Sequence, residues 1–495
     1  MTETEDTAAN AESATPYSPR KQAIHDLSQR MAAERGRWID KNRAFHQEDR
    51  RYLRFLIPEG LRILDLGCGI GEILAALKPS YGVGVDFSDR MIEEARAAYP
   101  GSAHPELTFV HGDIEDPQTL SALEGPFDVI VLSDTIGSLE DCQALLELLH
   151  PLCTRDTRVV ISYYSTFWDP ILRIGEWTGL KMPQTAQNSL TSADIANLLE
   201  LSGFAVTKRE WRQLVPRRLF GIGTLINRFV ATLPLIRRLC LRNYLVACSR
   251  RHAGYEDLSA TVMIPCRNER GNIEAAVKRV PAFCDDIEIL FVEGHSQDGT
   301  YEEIERVIAA YPDRDIKVTR QDGKGKGDAV RKGFDLARGD VLMILDADLT
   351  MPPEDLPKFY NALKSGQGEF INGSRLVYPM ESDAMRFLNL IANQMFSYIF
   401  TYLLNQRYTD TLCGTKVMTK AHYRKIEANR SYFGDFDPFG DFDLIFGASK
   451  LNLKVAEIPI RYRNRAYGET QISRFRHGLL LIRMVIFAFF KLKAI

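Results

Sequence analysis

Paired cysteines are absent. The 495-residue chain has eight cysteines, Cys68, Cys142, Cys153, Cys240, Cys248, Cys266, Cys284 and Cys413, with no C-x-x-C pair and no zinc-like spacing. That pattern argues against a disulfide framework and suits a reducing cytoplasm. An excess of positive charge is absent too. The formal net charge is −3, the wrong balance for a protein that grips phosphate backbones in general, so no nucleic-acid partner is expected. The first twenty residues, MTETEDTAANAESATPYSPR, lack a basic lead and an apolar core, and so read as a disordered tail rather than an export leader. What remains is 45% hydrophobic and 26% charged, a globular composition, and its length exceeds one ordinary core.

From Arg62 onward, short apolar runs alternate with helical stretches. RILDL, GVGVD, LTFV, FDVIVL and TRVVIS read as strands, and the segments Ile73 to Leu77, Met91 to Tyr99 and Cys142 to Leu149 read as helices. A second series starts at Ala260, with TVMIP, IEILFV, IKVT and VLMIL as strands; Ile273, Val277 and Val280 mark one helical face, and Ile304, Val307, Ile308 and Tyr311 another. The expected fold class is α/β, with two tandem doubly wound units. The expected division is a tail at 1–20, a first domain at 21–252 ending in a basic amphipathic segment, a junction at 253–260, a second domain at 261–478 and a C-terminal interfacial helix at 479–495.

In LDLGCGIGEIL, Gly67, Gly69 and Gly71 follow a strand directly and precede a helix. Glycines at such a turn let a ligand approach the backbone, and a helix N-terminus offers unpaired N–H groups. The GxGxG spacing resembles motif I of class I S-adenosylmethionine-dependent methyltransferases. That resemblance runs from about Lys41 to Trp211, through GDIED, FDVIVLSD and TSADIANLLELSGFAV. It implies an S-adenosylmethionine site formed by Asp65, Gly67, Gly69 and Gly71, with Asp86 on the ribose hydroxyls and Asp113 and Ile114 at the adenine. Asp134, Tyr163 and Tyr164 stand near strand ends and are candidates to face the methyl acceptor.

In the second unit the apolar run of GDVLMILDADLTMPPED ends on Asp346 and Asp348. Two carboxylates one residue apart after a buried strand suit a hard divalent cation holding a diphosphate. With TVMIPCRNERGNI, ILFVEGHSQDGT, GKGKGDAVRKGF, NGSR, DTLCGTK, FGDFDLIF and EIPIRYRNRAYGETQISRFRHG, the stretch from Thr261 to about Arg483 closely resembles the family 2 glycosyltransferases of GT-A fold, in the branch that makes dolichyl-phosphate mannose or glucose. The resemblance implies a nucleotide-sugar donor and a polyprenyl-phosphate acceptor. It places Pro265, Arg267, Glu269 and Glu293 at the nucleoside, Lys324 and Lys326 at phosphate, and Mg²⁺ or Mn²⁺ on Asp346 and Asp348. Arg375, Lys416, Arg463 and Arg465 are its candidates for clamping the acceptor phosphate. An ionised phosphate acceptor needs no strong base, whereas a hydroxyl acceptor does, and Asp441 or Asp443 is then the base. Two departures stand out: Glu293–Gly294 replaces the usual acidic pair, and Thr350 replaces a metal-proximal glutamine. A further alternative is that one half has become a non-catalytic binding or docking module.

Three segments suggest peripheral attachment to the cytoplasmic membrane surface. Leu214 to His252 carries eight arginines and no acid. Phe387 to Gln406 is uncharged, with Asn389, Asn393, Ser397, Thr401 and Asn405 forming a polar stripe. Leu479 to Ile495 is apolar but interrupted by Arg483 and closed by Lys491 and Lys493. None offers the roughly 20 apolar residues of a spanning helix, and the basic flanks suit an anionic leaflet.

Overall fold

The computed structural model describes residues 17–378, 387–432, 440–465, 467 and 474–495, with no side chains described at 387–390 and 474–477. The stretches 1–16, 379–386, 433–439, 466 and 468–473 lie outside the described residues, and with them most of the expected tail.

The first sheet holds β1 (Arg62–Leu66), β2 (Tyr81–Asp86), β3 (Leu107–His111), β4 (Phe127–Ser133), β5 (Cys153–Tyr164), β6 (Phe204–Arg212) and β7 (Arg242–Ser249), in the order β3-β2-β1-β4-β5-β7-β6. Its first five strands run parallel, and β7 lies antiparallel between β5 and β6. The second sheet holds β8 (Ala260–Cys266), β9 (Ile287–Glu293), β10 (Asp315–Arg320), β11 (Val341–Ile344), β12 (Phe370–Ser374), β13 (Lys416–Thr419) and β14 (Val455–Pro459), in the order β10-β9-β8-β11-β13-β12-β14. Here β8 to β11 are parallel and β13 is antiparallel to both neighbours. Both are thus mixed α/β sheets whose chain order reverses beside the first strand. The carboxyl ends of β1 and β4, and of β8 and β11, border the crevices where open α/β sheets bind ligands.

The basic segment from Leu214 divides in two. Its second half is not amphipathic surface but β7, buried along its whole length. Arg242 is 0% exposed there, and its guanidinium bonds both carboxylate oxygens of Asp49 at 3.0 and 3.2 Å. An arginine neutralised in this way can enter a core. The first half, from 219 to 239, is short helical turns whose Leu219, Phe220, Ile222, Leu225 and Leu235 are exposed.

The uncharged helix Phe387–Leu404 turns its stripe inward. Asn393 bonds Asp410 at 3.2 Å, Thr401 bonds the Tyr408 carbonyl at 3.1 Å, and Asn405 bonds Glu210 at 2.6 Å. The helix Arg474–Ala488 presses Leu481, Met484 and Ala488 into the second core and leaves Leu479, Ile482 and Ile486 exposed.

The two domains interlock through buried polar contacts. Arg158 on β5 makes a bidentate pair with Glu369 at 2.7 and 2.9 Å. Lys208 on β6 donates to the Ser449 carbonyl at 2.9 Å, and Lys493 pairs with Glu210 at 2.6 Å. Lys450 donates to the Phe55 carbonyl. The helix Phe442–Lys450 therefore starts next to Asp441 and ends against the first domain.

Candidate functional site

In the first domain, Gly67, Gly69 and Gly71 all have positive φ (77°, 54° and 76°), a region that favours glycine. Their empty faces differ. A Cβ on Gly67 would lie 2.5 Å from Thr135 Oγ1, and one on Gly71 2.5 Å from Phe109, whereas at Gly69 nothing lies within 4 Å. Only Gly69 leaves open room for a ligand. The turn's N–H groups are also largely used within the protein: Gly67 and Cys68 donate to the Val85 carbonyl at 2.8 and 3.0 Å, and Gly71 to Cys68 at 3.0 Å.

Asp86 accepts from the Gly69 and Ser88 N–H groups at 2.9 and 3.0 Å. Burial nevertheless raises its pKa. Asp65, 1% exposed, is pushed up to about 7 by burial and by nearby Asp86, and its Oδ2 has no hydrogen-bond partner. A cavity of about 180 Å³ is lined by Gly67, Gly69, Asp86, Asp113, Ile114, Asp134 and Arg35, among others. The open face of Gly69 and the Asp86 carboxylate, both at the cavity wall, fit S-adenosylmethionine, whereas buried Asp65 stands behind that wall. Asp113 is less open than its motif suggests, because Lys21 of the N-terminal helix Pro19–Met31 pairs with it at 2.6 Å.

Asp134 follows β4 with φ +59°. For a residue other than glycine this backbone is strained by about 1–2 kcal/mol, and such strain clusters at functional sites. The buried Arg242 holds its Oδ1. Nothing in the local sequence announces this pairing, since Arg242 lies 108 residues downstream.

In the second domain, Asp346 and Asp348 leave the end of β11. Lys326 Nζ lies 2.6 Å from Asp346 Oδ1 and 3.9 Å from Asp441 Oδ1. Lys416, 0% exposed, lies 4.0 Å from the same Asp441 oxygen. Burial alone raises the Asp346 pKa, but Lys326, Lys416 and Arg375 outweigh it and hold the carboxyl below its usual range. Arg465 Nη2 lies 2.6 Å from Asp348 Oδ2, and its Nη1 lies 3.5 Å from Glu269. Thr350 donates its hydroxyl to Asp348 Oδ1 at 2.8 Å, so it orients that carboxylate rather than standing in for a ligand.

A Cβ on Gly414 would collide with Asp346 Oδ2 and lie 2.5 Å from Lys326 Nζ; this glycine makes room for the carboxylate. Two hard carboxylates side by side suit Mg²⁺ or Mn²⁺ once Lys326 and Arg465 give up the oxygens they now hold.

The remaining sequence candidates separate. Pro265 lies within the end of β8, Arg267 is exposed just beyond it, and Glu293 ends β9 as a buried acceptor for the Ser296 N–H at 2.5 Å. Lys324 is exposed and makes no ion pair among the described residues. Arg375 is pinned by Asp410 at 2.7 and 2.9 Å, so its planar group is pre-aligned rather than loose. Asp443 faces away from Asp346, toward Arg430 at 3.1 Å and Arg331 at 3.9 Å. Of the two candidate bases, only Asp441 joins the lysines.

Two family models match. "Methyltransferase domain" covers residues 34–209 and "Glycosyl transferase family 2" covers residues 261–426. The chain is 38% identical over 220 residues to a dolichol-phosphate mannosyltransferase of Pyrococcus furiosus, a match covering 44% of this chain and 60% of that protein. It is 30% identical over 218 residues to a polyprenol monophosphomannose synthase of Mycolicibacterium smegmatis, covering 43% of this chain and 80% of that one. The chain spans 60% of the Pyrococcus protein's length and only 52% and 35% of two further relatives. Among solved structures, magnesium protoporphyrin IX methyltransferase from Synechocystis PCC 6803 with bound SAM aligns at TM-score 0.32 and 19% identity, covering 47% of this chain and 99% of that one. The chain belongs to glycosyl transferase family 2, and ahead of that domain residues 34–209 match a methyltransferase-domain model.

Proposed function

We propose that the second domain transfers a sugar from a nucleotide sugar to a polyprenyl phosphate with the help of a divalent cation, and that the first domain transfers a methyl group from S-adenosylmethionine to an acceptor. The observation that carries the first reading is the alternation of charge in which Lys326 bridges Asp346 and Asp441 and Lys416 backs the latter. Relatives named for dolichol-phosphate and polyprenol-phosphate mannose transfer support it.

In this reading Asp346 and Asp348 hold Mg²⁺ or Mn²⁺, whose charge offsets that of the departing diphosphate. Lys324 and Lys326 serve the donor phosphates, and Pro265, Arg267, Glu269 and Glu293 the nucleoside. Arg375, already aligned by Asp410, and Lys416 receive the acceptor phosphate. Arg463 and Arg465 lie on the strap that follows β14, Arg465 reaching across to Asp348. A phosphate monoester loses its second proton near pH 6, so an acceptor of that kind attacks without a strong base, by direct displacement with inversion.

Mass spectrometry of products made from a short polyprenyl phosphate and a panel of nucleotide sugars is expected to give a sugar-linked lipid phosphate. Product on free glycans alone would reverse the assignment. Asp441→Asn separates the two acceptor classes: on a phosphate acceptor, transfer is expected to fall less than about tenfold, whereas loss of a required base costs roughly 10²–10⁴-fold.

For the first domain, Asp86→Ala is expected to weaken S-adenosylmethionine binding about 100-fold by calorimetry, because it removes the carboxylate placed for the ribose and frees the Gly69 N–H. Unchanged affinity would take the cavity out of this reading.

Attachment to an anionic membrane surface completes the proposal. Among the described residues no helix is long and apolar enough to cross a membrane. The 219–239 turns, with their exposed apolar residues, adjoin the C-terminal turn Phe489–Lys493, the Phe229 and Phe490 rings lying 6.3 Å apart. Arg217, Arg218, Arg228, Arg238 and Arg483 are exposed around them. The full chain is expected to float with vesicles rich in anionic lipid and far less with zwitterionic ones; equal recovery from both would discount the arginines.

A further inference from the structure

We propose that the methyltransferase domain methylates a neutral hydroxyl group and that Asp134 is the residue that takes the hydroxyl proton. This rests on the reading of the cavity as an S-adenosylmethionine site, and it adds the class of acceptor.

The argument begins with which carboxylates around the cavity are already engaged. Asp86 holds two backbone N–H groups. Asp113 is taken by Lys21 at 2.6 Å and by the Glu115 N–H at 3.0 Å. Glu115 is taken by Lys21 at 2.8 Å and by the Glu140 and Asp141 N–H groups at 2.9 Å each. Asp134 differs. Its Oδ1 meets Arg242, and its Oδ2 makes no hydrogen bond among the described residues while the side chain lines the cavity. It is the cavity carboxylate with an oxygen to spare.

Its support is fixed. The Asp134 N–H donates to the Ser162 carbonyl at 2.8 Å, and Arg242 is held from behind by Asp49 at 3.0 Å and by the Ser162 hydroxyl at 3.0 Å. One guanidinium is thus shared between two carboxylates, and Arg35 acts on Asp134 from the other side. Burial, helped by Asp49, raises the Asp134 carboxyl above its ordinary range even with Arg242 and Arg35 pulling it down. A raised carboxyl is a better proton acceptor.

The charged surroundings select the acceptor. Asp134 is faced by Arg242 and Asp49, by Arg35 from the N-terminal helices and by the ring of Tyr164. Close by, His46 is pushed down to about 4 by burial and Arg35, so it stays neutral. Arg35 bonds only Met182 Sδ, at 3.5 Å, among the described residues. An amine bound as its ammonium would meet the two arginines and has no lone pair to offer. An amine bound neutral has no proton that must leave before it attacks, and a carboxylate or phosphate acceptor would meet Asp134. An engaged base is of use to a hydroxyl. A neutral hydroxyl meets neither penalty.

The step balances without a further reagent. As the acceptor oxygen forms its bond to the methyl carbon, the O–H bond breaks and its proton passes to Asp134 Oδ2; the C–S bond breaks and its electron pair stays on sulfur. One positive and one negative charge disappear together, leaving an ether, a thioether and a carboxylic acid, which favours transfer in a poorly hydrated cavity.

The test uses the full chain and Asp134→Asn, a substitution that tolerates positive φ. Calorimetry with S-adenosylmethionine and S-adenosylhomocysteine reads whether a carboxylate stands near the sulfonium. Wild type is expected to prefer the sulfonium several-fold, to lose that preference as pH falls through the carboxyl titration, and the variant to show none. Transfer of a deuterated methyl group to methyl mannoside, mannosamine and mannuronate then reads the acceptor class. Methylation of a hydroxyl, lowered about 10²–10⁴-fold in the variant, is expected. Methylation only of the amine or the carboxylate overturns the proposal, as does an equal sulfonium preference in both proteins. With S-adenosylmethionine bound but no probe methylated, the hydroxyl assignment is overturned. Failure of wild type to bind either compound would instead defeat the S-adenosylmethionine reading itself.

Discussion

Asp346→Ala is expected to lower sugar transfer by about 10³-fold or more, the rate equivalent of the several kcal/mol that a metal held at a leaving diphosphate contributes. The geometry makes this the most sensitive position of the site. Asp346 is the partner of Lys326 and is held ionised by three cations; without it, among the described residues Lys326 keeps only Asp441, at 3.9 Å. Both metal retention and placement of the lysine therefore fail together. Asp348→Ala should follow closely, because it removes the second oxygen donor and takes away the carboxylate that Arg465 Nη2 holds. The measurement is initial transfer rate over a titration of Mn²⁺, beside Mn²⁺ binding in the presence of a nucleoside diphosphate followed by electron paramagnetic resonance. Transfer within tenfold of wild type, or Mn²⁺ binding that ignores the substitution, would falsify the metal role.

The second large effect is on stability. Arg158→Leu leaves the Glu369 carboxylate, 8% exposed, without its bidentate partner. An uncompensated buried charge costs roughly 3–5 kcal/mol, whereas replacing both partners by apolar groups is often neutral. Arg158→Leu should thus move the urea midpoint sharply downward, and Arg158→Leu with Glu369→Leu should recover most of the loss. A single substitution costing less than about 1 kcal/mol would mean that water reaches Glu369. Because the pair joins the two domains, the loss should also separate one unfolding transition into two.

These residues mark where sequence reading works and where it stops. Strands buried on both faces, such as Val129–Leu132 in β4, appear as plain apolar runs. The strand β7 does not, because Arg242 opens it within an arginine-rich stretch, and the acid that permits its burial, Asp49, lies 193 residues away. The glycine turn is legible as a motif, yet its spacing cannot say that Thr135 and Phe109 fill two of the three gaps. Asp441 and Asp443 look equivalent in FGDFDLIF. A helix start between them sends one toward Lys326 and the other toward Arg430. The stripe on Phe387–Leu404 is visible from spacing, but its partners Asp410 and Glu210 come from two different domains.

The 2.6 Å pair between Lys326 and Asp346 has a thermodynamic corollary. A lysine seated on a carboxylate competes with any dication for that oxygen, so loading the site is an exchange of carriers rather than the filling of a negative hole. Exchange is favoured when the displaced ammonium gains another anion, and a nucleotide diphosphate is such an anion. Metal and nucleotide are therefore linked ligands, each raising the affinity for the other by the same factor, and the resting domain has little appetite for metal on its own.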